Sequence, residues 1–268
     1  NYCTFGFMKY SYMYLVEINF LGFRYHGWQK QKNAKTLHHV VDKTLSFVFD
    51  DNDYKTLGIG RTDAMVSASK YYFQLLTISS VDQNRFIELF NSNAPQDISA
   101  KNITSVKLGF DLLNCPKIKE YHYYFSNDKS YHPFAAPFIV NVTEKLDIDI
   151  MQQGASLFKG GHYFQKYCTK PSEKTIFKRV VESCEIVENT ELTASFFPER
   201  SYVLKVRGKG FLRYQIRLMM AVLFELGKSN LDLEFIEKSL SKDNDGKFLR
   251  NIAPASGLQL YDIDMNIN

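Results

Sequence analysis

A mixed α+β fold, with layered sheets and helices on one side, is predicted by three observations. Segments rich in β-branched and aromatic residues alternate with segments whose apolar residues recur at helical spacing. The alternation runs twice, so the 268 residues divide into two α+β halves of ordinary domain size. Aromatic residues reach 15%, with 17 Tyr and 22 Phe, which suits many strands, stacking surfaces or both. Apolar residues at 45% and charged residues at 23% are globular values and exclude disordered and fibrous classes. A chain this long buries a core without disulfides or metal.

Taken in order, Tyr12–Phe20 reads as a strand from its aromatic and β-branched content. Gly22 to Gly27 punctuate a turn ending in Trp28-Gln29. Thr36 is placed to cap a helix over 37–49, where Leu37, Val40, Val41, Leu45 and Val48 share one face. Thr56–Ile59 leads into Gly60-Arg61-Thr62-Asp63-Ala64. Lys70–Ile78 is expected as a strand, Val81–Phe90 as a helix capped by Ser80 or Asp82, and Ile103–Phe110 and Glu120–Phe125 as strands. In the second half, Ile148–Phe158 reads as a helix and Lys178–Val187 and Ser201–Val206 as strands. Phe211–Leu226 has the strongest helical pattern, followed by a helix over Asp232–Leu240 and a strand over Leu258–Met265. Pro133 and Pro137 bracket the expected connection. This gives an N-terminal half over 8–132 and a C-terminal half over 133–268, with residues 1–7 as an extension outside the fold.

The longest apolar run, Leu218–Phe224, is far short of a membrane span. The first residues lack the basic start and apolar core of a secretory signal. The four cysteines, Cys3, Cys115, Cys168 and Cys184, form no CxxC pair, so reduced thiols in a cytoplasmic protein are expected. Gly208-Lys209-Gly210 lacks the third glycine of a dinucleotide loop, and no phosphate-binding Walker loop occurs. His38 and His39 point about 100° apart on a helix and have no metal-ligand spacing. Neither a cofactor nor a metal is expected.

The net charge of +4 matters less than its distribution. Glu199–Arg217 holds six Lys or Arg against one acid; Lys205, Arg207 and Lys209 alternate along a strand and its end, and Arg213 and Arg217 fall four apart on the expected helix. Lys166–Arg179 holds five more basic residues. Such clusters suit phosphates, as they suit a solvated face. Arg61 and Asp63, two apart in a polar turn, suit a cleft in which the arginine holds the carboxylate; they also suit a plain turn capped by Asp63. Tyr121-His122-Tyr123-Tyr124 puts aromatics on both faces of a strand, for stacking a nucleobase or for packing a core.

Together and in order, these segments resemble the TruA family of tRNA pseudouridine synthases. The carrying blocks are Tyr25-His26-Gly27-Trp28-Gln29, Gly60-Arg61-Thr62-Asp63-Ala64-Met65-Val66-Ser67-Ala68, Lys119-Glu120-Tyr121-His122-Tyr123, Gly160-Gly161-His162-Tyr163-Phe164, Phe211-Leu212-Arg213-Tyr214-Gln215-Ile216-Arg217 and Ala253-Pro254-Ala255 with Gly257-Leu258. Met65 and Ser67 stand where the family pattern has Gly and His, Lys119 where Arg is usual, and Phe110-Asp111-Leu112-Leu113 replaces a segment that carries an arginine. The resemblance implies a pseudouridine synthase fold of two ferredoxin-like (RRM-like) halves sharing an antiparallel sheet, with helices on one side and a basic cleft. It implies a homodimeric isomerase that converts uridine to pseudouridine in tRNA, at anticodon stem-loop positions 38 to 40. Asp63 is then the catalytic carboxylate, as nucleophile or as an aid to elimination, with Arg217 as its partner and Tyr121 stacking the uracil. Arg61, Lys119, Lys166, Lys205, Lys209 and Arg213 are the candidate RNA-binding residues. Another RNA target, such as ribosomal RNA, and an inactive RNA-binding protein on the same scaffold are the alternative readings.

Overall fold

The computed structural model describes residues 9–49, 53–243, 247 and 249–266. The expected extension over 1–7, with Cys3, lies outside them. Among the described residues the fold is mixed α+β, with five α-helices and mostly antiparallel strand pairing. The chain forms two compact units. The first takes its residues from Asn1–Lys117 and Asp262–Asn268, and the second from Ile118–Tyr261.

In the first unit the order is strand β1 (Tyr12–Phe20), helix α1 (Leu37–Val48), strands β2 (Tyr54–Gly58) and β3 (Ser67–Thr77), helix α2 (Gln83–Asn93) and strand β4 (Ile98–Ser105). The strands lie in the order β4-β1-β3-β2, each pair antiparallel. The core is aromatic. Phe73 of β3 meets Phe90 of α2 at 6.5 Å, and Phe86 meets Phe90 at 5.9 Å. All three are fully buried, so truncating any of them to Ala costs about 3–5 kcal/mol. Asp82 caps α2 by accepting from the Arg85 amide. Thr36 stands at the N-cap of α1 as expected, but its hydroxyl makes no capping bond.

The second unit runs β5 (Lys117–Ser126, whose first residue belongs to the first unit), β6 (Val140–Asn141), α3 (Ile148–Leu157), β7 (Gly160–Tyr163), β8 (Lys178–Glu188), β9 (Tyr202–Gly208), α4 (Gln215–Gly227) and α5 (Leu233–Ser239). The last strand, β10 (Leu258–Met265), gives its first residues to this unit and the rest to the first. The sheet order is β5-β9-β8-β7, antiparallel, with β6 parallel to β5. Gly154 lets α3 close on α4 and α5: a Cβ there would sit 2.4 Å from Leu226 and 3.0 Å from Ile236. The expected division at 132/133 falls inside this unit, because β5 pairs with β9 along Lys119–Phe125.

Two expectations are corrected. The strand expected over Ile103–Phe110 is Ile98–Ser105: its ladder to β1 shifts register at Glu17/Ile18, and the chain turns away past Val106, with Gly109 at φ 94°. The helix expected from Phe211 starts at Gln215. Tyr214 takes a left-handed φ of 62°, and the Gln215 side chain accepts from the Leu212 amide at 2.8 Å, so 211–214 is a loop. Arg213 is therefore not on the helical face of Arg217. No helix among the described residues is long and apolar enough to cross a membrane. Cys115, Cys168 and Cys184 are free thiols.

Candidate active site

Within the first unit, the Gly60–Ala68 run leaves β2 and returns as β3, and the turn over 22–28 pins it at several points. The Trp28 amide donates to the Thr62 carbonyl at 3.4 Å, the Met65 amide to the Tyr25 carbonyl at 2.9 Å, and the Gly22 amide to the Ser67 hydroxyl at 2.9 Å. The Tyr71 hydroxyl donates to the Gly60 carbonyl at 2.6 Å. Glycine makes this contact possible. Gly27 has φ 81°, and a Cβ there would lie 2.3 Å from the Thr62 carbonyl oxygen; one at Gly22 would lie 1.9 Å from that of Val66.

Asp63 opens the tightest part of the loop. Its carbonyl accepts from the Val66 amide at 3.3 Å, and Met65 between them has φ 66°. Its side chain is half-exposed, whereas Arg61 is exposed. The pinning turn is itself held. Buried Tyr25 donates its hydroxyl to Asp97 at 2.7 Å, and Arg24 binds the same carboxylate through two nitrogens. Burial, with the bond to Asp97, pushes the Tyr25 hydroxyl up to about 12. Burial also works against the Asp97 charge, but the bonds from Arg24 and Tyr25 hold its pKa below the usual value.

Within the second unit, Tyr121 of β5 faces Val206 across the ladder and is half-exposed. Its ring meets Phe211 edge-on at 5.4 Å. Tyr123, on the same face, is fully buried and donates to the Pro254 carbonyl at 2.8 Å; burial lifts its pKa far above the tyrosine range. Arg217, in the first turn of α4, donates Nε to the Ala253 carbonyl at 2.7 Å, and the Ala253 amide answers to the Arg217 carbonyl at 3.2 Å. The Ala253-Pro254 segment thus fixes Arg217 and Tyr123 together. The guanidinium carbons of Arg213 and Arg217 lie 5.2 and 5.0 Å from the centre of the Tyr214 ring. That ring offsets part of their repulsion.

The remaining candidates separate by face. Side chains alternate along a strand, so Lys119, Tyr121 and Tyr123 share one face of β5. Lys205 stands opposite His122, hence on the other face, with Nζ 2.8 Å from Glu191. Arg207, on that same face, lies 3.5 Å from Glu120 and 3.6 Å from Glu182. His122 stacks on Tyr261 at 3.7 Å there. Lys166 is buried and donates to the Lys247 carbonyl at 3.4 Å, which turns its charge inward. Lys209 and Arg213 are exposed. Sequence reasoning singled out neither Phe211 as the neighbour of Tyr121 nor the carbonyls of Ala253 and Pro254. The only available signal was that these residues lie in the same collinear blocks.

Comparison with known proteins agrees in extent. A family model described as tRNA pseudouridine synthase matches residues 155–266. The chain is 31% identical over 253 residues to the tRNA pseudouridine synthase A of Dictyoglomus thermophilum, covering 93% of this chain and 98% of that protein. The enzyme of the same name from Caldicellulosiruptor bescii is 29% identical with the same coverage, and that of Acetivibrio thermocellus 27% identical over 92% of this chain and 96% of its own length. By identity and by near end-to-end coverage, the chain belongs to the TruA family of tRNA pseudouridine synthases.

Proposed function

We propose that this protein isomerises uridine to pseudouridine in tRNA, at anticodon stem-loop positions 38 to 40. The observation that carries the reading is the unbroken Arg61-Thr62-Asp63 run on a loop whose backbone is fixed at several points, leaving a half-exposed carboxylate. The reaction breaks the N1–C1′ glycosidic bond, turns the uracil, joins C5 to C1′ and releases the C5 proton. A fixed carboxylate serves the first step as a nucleophile at the sugar or by assisting elimination. Tyr121 offers a π-face for the uracil, which leaves its stack at a cost of a few kcal/mol. Arg217 is the cation that the family pattern assigns to the carboxylate. Lys119 shares the face of Tyr121, and Lys209 and Arg213 present charge for RNA phosphates.

The order β4-β1-β3-β2 with helices after β1 and β3 supports a ferredoxin-like first half. The second half varies that plan, with three consecutive antiparallel strands, β7, β8 and β9, between α3 and α4. We read the protein as a cytoplasmic homodimer that needs no cofactor or metal.

The test is pseudouridine mapping of total RNA with and without the protein, beside the Asp63→Asn variant. The amide is nearly isosteric but is no nucleophile. Asp63→Asn is expected to lose pseudouridine formation while binding tRNA within a few-fold of wild type. Turnover at a tenth of the normal rate rejects the assignment of Asp63. New pseudouridine in ribosomal RNA alone rejects tRNA as the substrate.

A further inference from the structure

The loop between β7 and β8, together with Phe211, Leu212 and Arg213, encloses a groove of about 360 Å³. Four cations line it, Lys170, Lys174, Arg179 and Arg213, and no carboxylate does. Several other cations of this unit are paired: Lys205 with Glu191, Arg207 with Glu120 and Glu182, Lys228 with Glu144, and Lys238 with Glu234. Among the described residues, none of the four groove cations has a carboxylate within ion-pairing distance. Arg179 is half-buried, and its guanidinium donates to the Lys178 carbonyl at 2.9 Å.

Cations gathered on a concave surface repel one another and concentrate field lines that attract an anion. Two arginine forks and two lysine point charges suit the oxygens of a phosphate. The groove is built in advance. The Thr169 amide donates to the Arg213 carbonyl at 3.3 Å, joining its walls, and the Ser172 and Thr175 backbones close a turn at 2.9 Å. Phe211 is one of those walls, and its ring also packs edge-on against Tyr121. The groove therefore lies one side chain away from the residue proposed to stack the target base.

We propose that this groove binds a backbone phosphate of the substrate RNA, on a nucleotide neighbouring the target uridine. The proposal rests on the RNA-modifying reading above. A free phosphate or nucleotide offers the same oxyanion chemistry; the shared Phe211 wall favours the RNA strand.

The test uses the full chain, an unmodified tRNA transcript with uridines at 38 to 40, and inorganic phosphate and ATP as small-anion probes. Lys170 and Lys174 are exposed, so the double variant Lys170→Gln/Lys174→Gln keeps the fold. Its dissociation constant for the transcript is expected to rise about tenfold, and the slope of log K against log salt to fall by about one to two units. Lys159→Gln, exposed and outside the groove, should change neither. Unchanged affinity and slope in the double variant overturn the groove, even where wild type modifies the transcript normally. Loss of phosphate or ATP binding with tRNA affinity intact overturns the RNA assignment. Wild-type protein that binds the transcript but forms no pseudouridine refutes the functional reading instead, and the slope comparison still decides the groove.

Discussion

Met65 holds a left-handed backbone, φ 66°, at the position where the family pattern has glycine. The conformation belongs to the loop, since the turn from Asp63 to Val66 and the bond from the Met65 amide to Tyr25 both require it. A non-glycine residue there costs about 1–2 kcal/mol, and glycine recovers this less about 0.5–1 kcal/mol of extra chain entropy. Met65→Gly is therefore expected to stabilise the protein by about 0.5–1 kcal/mol, raising Tm by roughly 1–3 °C, while Met65→Ala gains nothing. Thermal unfolding of both variants checks this, and equal Tm values refute it. Tyr121 allows a sharper residue-scale test. Stacking alone makes Tyr121→Phe near normal and slows Tyr121→Leu by about 5–150-fold. If the hydroxyl also removes the C5 proton, Phe fails as well, at the rearrangement step. The ring is half-exposed and meets Phe211 only by an edge, so Leu should cost less than ~1 kcal/mol in stability. Single-turnover rates measured beside unfolding curves decide; lost stability with normal turnover would return Tyr121 to the core.

At the scale of elements, the fixed loop depends on the Tyr25–Asp97–Arg24 clamp at the end of β1. The Asp97 pKa lies below its ordinary value in the folded protein. A depressed carboxyl pKa contributes stability above its unfolded value, and that contribution is lost as pH falls through the folded one. The stability gap between wild type and Asp97→Asn is thus expected to be full near pH 6 and to shrink below about pH 4. Urea unfolding across this range measures it, and a gap independent of pH would show that the clamp does not work by charge. Elements differ in how plainly they could be read. β1 and β10 have the bounds expected: β1 is apolar except at Glu17 and Asn19, and β10 starts at Leu258 directly after Gly257. β4 starts five residues before the expected strand because its first half, Ile98 to Asn102, is largely short or polar and a register shift breaks its alternation. The early start expected for α4 failed at Tyr214, whose left-handed φ no apolar periodicity reports.

Across the whole molecule, collinear blocks made the candidate chemistry legible, since an Arg-Thr-Asp run and an aromatic strand keep their order whatever the loops do. Charge was not legible in the same way, because a basic residue in a sequence does not show its partner. Lys166 and Lys205 belong to basic clusters, but the first turns inward to the Lys247 carbonyl and the second pairs with Glu191. Lys205 also lies on the sheet face opposite Tyr121, whereas Lys209 and Arg213 are exposed beyond the end of β9 and before α4. A phosphate contact by Lys205 would first have to break its ion pair, offsetting much of the gain. Lys205→Gln is therefore expected to keep tRNA affinity within about twofold. Lys209→Gln and Arg213→Gln should each weaken it several-fold and lower the salt slope by about one unit. Filter binding of the three variants between 50 and 200 mM salt, roughly the range over which such contacts show, separates the cases. If Lys205→Gln lowers the slope as much as Arg213→Gln does, the RNA reaches the other face of the sheet and the division of charge argued from strand register is wrong.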